Sequence, residues 1–159
     1  MYRRHKVTVA VLFLLTSFLS FKLKADYNNI AEEAIAVVSI ALAVYIGAAS
    51  VLLGSPFAQR LKEHRDDLIR TKTSLGVLAE YLRVAGKFGL ATIIVSTLFA
   101  VNLNVQPITN YLETVGLDEN MLTQTLNVFE SITCGMFAVN IFFIWMILIF
   151  LINSLTKSV

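Results

Sequence analysis

Few residues in this chain of 159 carry side chains suited to catalysis or metal binding, and their spacing assembles no reactive site. Cys134 is the only cysteine, and the two histidines, His5 and His64, are far apart in sequence. A zinc site needs several cysteine or histidine ligands at short spacings, and a cysteine nucleophile needs a base beside it. The sequence also lacks the short motifs of nucleotide-binding, zinc-protease and hydrolase sites. We therefore predict that the protein is not an enzyme and binds no metal or cofactor.

Asn140 is a polar residue in the middle of an apolar run, residues 132–152. An amide that faced lipid at this depth would lack hydrogen-bond partners, so we expect it to face protein or water. A hydrogen bond to a neighbouring helix is the structural interpretation. The functional alternative is a side chain that lines a pore or contacts a substrate.

A second set of candidate residues is basic and lies in the polar segment 55–87. We predict that four of its bases present a contact surface to a soluble protein partner: Arg60, Lys62, Arg65 and Arg70. The acids Glu63, Asp66 and Asp67 lie among them. A protein partner can use both signs of charge for specificity, whereas interspersed acids oppose a purely lipid-binding role. Attraction of these bases to anionic lipid is the alternative.

The composition identifies the environment in which these residues must be held. Hydrophobic residues make up 57% of the chain and charged residues only 15%, with a mean hydropathy of +0.72. Soluble domains usually carry about a quarter of charged residues, so this is an integral membrane protein. The net charge is +2, and the bases are not clustered with aromatic residues, so nucleic acid is not expected as a partner.

Four apolar runs are candidate membrane spans: 7–23, 34–54, 88–103 and 132–152. A hydrocarbon core ~30 Å thick requires about 20 helical residues. The first and third runs are shorter, and the lysines at their ends must extend toward the interface if these runs are to cross. We predict an all-α fold, a membrane four-helix bundle that forms one domain over residues 1–159.

The distribution of bases predicts how the spans are oriented. Eleven of the 13 Lys and Arg residues fall on the side that holds both termini and residues 55–87, and only Lys22 and Lys24 fall on the other. The positive-inside rule then places both termini in the cytosol and residues 104–131 outside. We expect the plasma membrane, specifically a bacterial inner membrane. Cleavage of Met1 to Ala25 as a signal peptide is the alternative, although Leu23 occupies a position that calls for a small residue.

Residues 55–87 must leave the membrane and return to the same face. Apolar residues repeat at helical spacing on both sides of Thr71 to Ser74, a polar stretch that predicts a turn, with Ser74 as the N-cap of the second helix. We therefore predict a cytosolic helical hairpin that extends spans two and three. A continuous leucine zipper is the alternative, formed by Leu61, Leu68, Leu75 and Leu82.

Small residues share one side of two of the predicted spans. They are Ser39, Ala43 and Gly47 in span two, and Gly135 and Ala138 in span four. Small residues allow helix backbones to approach closely. Because each of these spans has further small residues on its opposite side, both sides are suited to packing, and we predict a homo-oligomer. Packing within one chain is the alternative.

Three classes of function are compatible with these features. We favour a non-enzymatic oligomeric membrane subunit that anchors, or signals to, a soluble cytosolic partner. A small channel, or a holin-like or lytic pore, is the alternative, although no span has the regular polar face that would line water. A small transporter or intramembrane enzyme would need ionisable groups deep in the membrane, and the spans have none. Immunity or accessory subunits of toxins and transporters share the same size and topology.

Four spans, a short chain, a cytosolic helical segment and no catalytic motif together resemble the small membrane subunit of two-gene bacterial phage-defence systems of the Kiwa kind. The resemblance is one of size and topology over the whole chain, and no individual motif carries it. It implies that the protein senses phage-induced events at the envelope and passes a signal to a cytosolic effector. No site residues can be transferred from it.

Overall fold

A computed structural model describes residues 2–54, 56–63, 72–101 and 119–156, and the regular secondary structure in these ranges is helical, with no β-strand. The helices are α1 (Arg3–Leu23), α2 (Ala31–Gly54), α3 (Pro56–Glu63), α4 (Ser74–Ala100) and α5 (Glu119–Thr156), with a 3₁₀ turn at Asn28–Ile30 before α2. The predicted all-α fold is confirmed for this part of the chain.

Four of the helices contain segments that are long and apolar enough to cross a membrane: Arg3–Leu23, Asn28–Ser50, Ser74–Ala100 and Thr123–Phe150. The 21 residues of the first segment extend ~31 Å, which matches a hydrocarbon core ~30 Å thick. The prediction of four candidate spans is confirmed. The helix of the third span, α4, begins well before Phe88, and that of the fourth span, α5, begins well before Ile132. Both helices are therefore longer than the apolar runs that identified them.

Local sequence explains where two of the helices begin. Thr73 is the N-cap of α4: its backbone is extended, with φ −79° and ψ 154°, and its Oγ1 accepts a hydrogen bond from the Gly76 amide at 3.2 Å. The prediction of Ser74 as the N-cap was wrong by one residue. Pro56 opens α3, a position where its missing N–H costs nothing.

The extended backbone at Thr73 also excludes one continuous leucine-zipper helix, because Leu61 lies in α3 and Leu75 in α4. That alternative was wrong. α3 packs against both α4 and α2, although residues 64–71, which would close the predicted hairpin, lie outside the described residues. The hairpin therefore remains a prediction.

The helices alternate in direction, as contacts at the two ends of the bundle demonstrate. At one end the backbone amide of Tyr2, which precedes α1, donates a hydrogen bond to the hydroxyl of Tyr81 near the start of α4 at 3.1 Å. At the other end Tyr27, just before α2, lies 2.7 Å from Ser96 near the end of α4. The start of α1, α3 and the start of α4 therefore share one end of the molecule.

α4 and α5 form the central pair of the bundle, with α1 packed mainly on α5 and α2 mainly on α4. Two glycines allow these flanking helices to approach. A Cβ at Gly89 would meet Leu42 of α2 at 3.0 Å, and a Cβ at Gly135 would collide with Ser17 of α1. Leu42 and Ser17 thus occupy the space that the glycines leave open.

The main apolar core fills the half of the bundle nearest the amino terminus. It consists of Ala41, Tyr45, Val77, Tyr81, Ala85, Val139, Phe143 and Ile147. A smaller cluster at the opposite end contains Tyr27, Ala31 and Ala34. The outward side chains are also apolar, which is the arrangement expected of a protein whose surroundings are lipid.

Candidate functional site

The end of the molecule that holds the amino terminus carries an exposed basic surface. Its described bases are all exposed: Arg3, Arg4, Lys6, Lys62, Lys72, Arg83 and Lys87. We call this set the basic end. The described acids at the same end are Glu63 and Glu80, so the surface keeps a positive net charge.

One member of the basic end is neutralised by an ion pair. Lys72 Nζ lies 2.7 Å from Glu80 Oε2, and the two side chains are 46% and 29% exposed. This contact ties the residue before the Thr73 cap to the second turn of α4. Because the pair is accessible to solvent, its contribution to stability is small, and its main effect is to order the start of the helix.

The predicted partner-binding residues are only partly described. Lys62 lies near the end of α3 with its side chain exposed, and Ala58 on the same helix is buried. Arg60 belongs to α3 by its backbone. Arg65 and Arg70 lie outside the described residues. Of the four side chains, the structure therefore shows Lys62 exposed on the basic end. That the four together form one contact surface remains a prediction.

A cluster of three rings holds the start of α1 against α4. Tyr81 is only 3% exposed, and its hydroxyl accepts a hydrogen bond from the Tyr2 amide at 3.1 Å. The same hydroxyl lies 2.5 Å from His5 Nδ1, and the tautomer of His5 decides which of the two groups donates this hydrogen bond. The rings of Tyr2, His5 and Tyr81 lie 5.3 to 6.0 Å apart, in edge and tilted contacts.

Asn140 is buried, with 1% exposure, and is hydrogen bonded between the two central helices. Its Nδ2 donates to Thr92 Oγ1 of α4 at 2.7 Å and to the Met136 carbonyl at 2.9 Å. Thr92 in turn donates to the Phe88 carbonyl at 2.8 Å. The amide thus has protein partners within the candidate span Thr123–Phe150, as the structural interpretation of this residue requires.

A second buried polar contact lies at the opposite end of the bundle. The Tyr27 and Ser96 hydroxyls lie 2.7 Å apart, and Tyr27 also makes an edge contact with Phe99. Burial raises the pKa of the Tyr27 hydroxyl above its ordinary value, so the group remains protonated. Nearby, Asn28 Nδ2 donates to Asp26 and to Glu130, at 3.0 and 3.4 Å, which connects the turn before α2 to α5.

The predicted oligomer-packing residues occupy two different environments. Ser39, Ala43 and Gly47 are exposed on the outward side of α2, and a Cβ added at Gly47 would meet no atom within 4 Å. Gly135 is instead buried against α1, and Ala138 is half-buried. Close approach at Gly135 is therefore made within one chain, and only the α2 residues remain available to a second copy.

The described residues contain no group of three or more His, Cys, Asp and Glu side chains placed to hold a metal ion. The polar contacts that the structure brings together join helices: Tyr2 and His5 to Tyr81, Asn140 to Thr92, and Tyr27 to Ser96. Their chemistry is structural hydrogen bonding.

Comparison with known proteins does not assign a family. No protein-family model matches the chain. No curated protein and no solved structure matches it either.

Sequence reasoning missed the contact of His5 with Tyr81 and that of Tyr27 with Ser96, each of which joins residues about 70 or more positions apart in the chain. Apolar periodicity identifies helices but does not determine which helices are neighbours. Sequence reasoning also missed that Arg83 and Lys87 lie on the outward side of α4, although their spacing of four residues was visible in the sequence.

Proposed function

We propose that the protein is a non-enzymatic membrane subunit that anchors, or signals to, a soluble cytosolic protein through residues 55–87. The observation that supports this proposal is the exposed basic end. The helix α3 contributes Lys62 to it, and Ala58 of the same helix is buried. A surface segment held against the bundle in this way is suited to docking, because the partner need not order a free chain.

The contact surface proposed on this segment consists of Arg60, Lys62, Arg65 and Arg70. Linking two neighbouring spans needs only a few residues, whereas the chain uses about thirty here. In this proposal the spans cross a bacterial plasma membrane. Both termini and this segment then lie in the cytosol. The excess of bases on this side supports that orientation.

A pore is the alternative function, and the interior of one chain does not favour it. Asn140 is bonded to Thr92 between packed helices, and the surrounding core residues are apolar. A water-filled path needs polar groups that face a continuous cavity. A pore would therefore have to form between copies of the chain.

A role in phage defence extends the proposal, with a phage-induced event at the envelope as the stimulus and a cytosolic effector as the partner. It is supported by the resemblance in size and topology. Phage plating on bacteria that express the chain together with its genetic neighbour should give fewer plaques than plating on bacteria that express either alone. Equal plaque numbers would remove this part of the proposal.

The docking proposal is tested by affinity purification of the full chain from its native host. Reversal of three bases together, by Arg60→Glu, Lys62→Glu and Arg65→Glu, should abolish recovery of a soluble protein while membrane insertion persists, because the positive half of the contact is lost. Recovery that survives the triple change, or a wild-type chain that captures no soluble protein, would contradict the proposal.

Reversal of the neighbouring acids provides the matched control for lipid attraction. Glu63→Lys, Asp66→Lys and Asp67→Lys add positive charge to the same segment. A protein partner that uses both signs should be lost from this variant as well, whereas a segment that only attracts anionic lipid should bind the membrane surface more tightly. Capture of the partner in full by this variant would mean that the acids take no part in the contact, and tighter membrane binding with no captured protein would favour the lipid alternative.

A further inference from the structure

The outward face of α4 combines two exposed bases with a stripe of large apolar side chains. Arg83 and Lys87 are exposed and make no ion pair with another described residue. Leu90, Ile94, Leu98 and Val101 follow them, with exposures of 58%, 64%, 56% and 63%. At 100° per residue these six positions fall within roughly 80° of one another. We call this set the α4 outer face. It is opposite the buried side of α4, which includes Tyr81, Ala85 and Thr92.

Lys87 lies deep along α4, and no described residue forms an ion pair with it. Tyr81 contacts His5, so these two residues lie at the same level of the bundle. Lys87 follows Tyr81 by six residues and is therefore ~9 Å further along the helix axis, deeper than Lys6 of α1. A lysine this far along a lipid-facing helix must extend its ammonium back toward the headgroups, where an anionic group offsets the cost of its position.

Gly86 leaves space next to the two bases. It lies beside Arg83, Lys87 and Leu90 on the helix surface, and a Cβ added there would meet no atom within 4 Å. Gly86 lies at the level where the charged part of the face meets the apolar part. A glycine with open space at its Cβ position lets a bulky headgroup approach the helix backbone.

The apolar stripe is long enough to line an acyl chain. From Leu90 to Val101 the helix rises ~17 Å, close to half of a hydrocarbon core of ~30 Å. Bases that extend to the interface, followed along the helix by apolar side chains, match the chemistry of a phospholipid, with its phosphate at Arg83 and Lys87 and its acyl chain along Leu90 and Ile94.

We propose that the α4 outer face is a binding site for an anionic phospholipid of the leaflet at the basic end. A second copy of the chain is a poorer occupant. A parallel two-fold pair would bring Arg83 and Lys87 to the same depth as their counterparts, and like charges would oppose each other without a counter-ion. Large side chains also hold helix backbones apart, unlike the small residues on the outer side of α2. The site does not depend on the proposed docking of a soluble partner.

A tryptophan placed on the face reports which lipid occupies it. The chain has a single tryptophan, so Trp145→Phe combined with Leu90→Trp gives one fluorophore on the α4 outer face. The full chain is reconstituted in phosphatidylcholine vesicles that contain either brominated phosphatidylglycerol or brominated phosphatidylcholine at equal mole fraction. We expect the anionic lipid to bind about tenfold more tightly at this position, as judged by quenching.

Two charge-matched variants test whether the two bases are responsible. Arg83→Gln with Lys87→Gln should abolish the preference, so that brominated phosphatidylglycerol and brominated phosphatidylcholine quench the fluorophore equally. Arg3→Gln with Lys6→Gln removes the same charge from the same end of the molecule on α1 and should leave the preference reported by the Leu90→Trp fluorophore in place. A second reporter, Ile40→Trp in the Trp145→Phe background, places the fluorophore on the exposed side of α2 and should show no preference.

Four results would overturn the proposal. Equal quenching by the two lipids would mean that the face is not selective, and equal loss in both charge variants would mean that only overall charge matters. Quenching by neither lipid would mean that protein covers the face. Loss of the preference on addition of inorganic phosphate would mean that the bases bind a soluble anion rather than a lipid headgroup.

Discussion

At the scale of single residues, two pairs of buried polar side chains join helices of this bundle. Asn140 reaches Thr92 across the central helix pair, and Tyr27 reaches Ser96 near the opposite end. Each contact lies in surroundings that offer few other partners, so the two groups are more stable together than apart. Hydrogen bonds of this kind in membranes contribute roughly 1 kcal/mol.

We predict that Asn140→Leu lowers the thermal stability of the purified chain modestly, by about 1 kcal/mol, because the bond to Thr92 is lost. Thr92→Val should have a similar effect, and the double variant should be less destabilised than the sum of the two, since both changes remove the same bond. Ile141→Ala, on the exposed neighbouring position, is the control for a general effect of substitution in α5. A change in ion selectivity with unaltered stability would instead favour the pore.

At the scale of helices, glycines determine which flanking helix can approach the central pair. Gly135 accommodates Ser17 and Phe13 of α1, and Gly89 accommodates Leu42 and Val38 of α2. Gly47 and Gly86 meet no neighbouring atom within 4 Å. The same residue type therefore serves packing inside the chain at two positions and leaves an open surface at two others.

A pair of matched substitutions tests this division. Gly135→Ala should destabilise the chain by about 1 to 3 kcal/mol, because its Cβ collides with Ser17 and lies 3.0 Å from the Phe13 ring. Gly47→Ala should not destabilise the single chain, because its Cβ enters open space and alanine favours helix. Thermal unfolding in detergent measures both changes. Equal stability of the two variants would mean that α1 does not pack on α5 as described.

At the scale of the whole molecule, the charged residues are separated between the two ends. The basic end holds seven described bases, whereas the opposite end holds Lys22 and Lys24 together with the exposed acids Asp26, Glu32 and Glu33. The contacts of Tyr2 with Tyr81 and of Tyr27 with Ser96 assign the helix starts to these ends. A membrane protein with this separation is expected to keep the basic end in the cytosol.

Labelling of single cysteines tests the orientation. In a Cys134→Ser background, Lys62→Cys should be protected from an impermeant thiol reagent added to intact cells, and Thr114→Cys should be labelled. Lys62→Cys should become reactive when the cells are opened, which controls for the accessibility of the thiol. Labelling of Lys62→Cys from outside intact cells would contradict the orientation.

Self-association is predicted to use the outward side of α2. Gly47→Leu or Ala43→Leu should weaken assembly, because a bulky side chain prevents close approach of two backbones at an exposed small-residue face. The fold of the single chain should tolerate Gly47→Leu, since its Cβ position is open. Mass measurement in gentle detergent distinguishes the cases, and a wild-type chain found only at the monomer mass of 17.7 kDa would exclude the oligomer.

The sequence by itself determined the helical class, the four candidate spans and the excess of bases at one end, because these depend on local composition and on lengths set by the bilayer. It predicted a helix start at this point but placed the cap of α4 at Ser74 rather than Thr73, since neighbouring polar residues can each cap a helix and local geometry selects one.

Only the tertiary structure decided which helices are neighbours and therefore what each small or polar residue does. Gly135 and Gly47 are equivalent in a helical pattern, yet one is covered by α1 and the other faces outward. Asn140 required a polar partner, but its selection of Thr92 depended on the α4–α5 contact. Contacts between distant parts of the chain are not encoded in helical periodicity, since any apolar side of a helix can pack against several others.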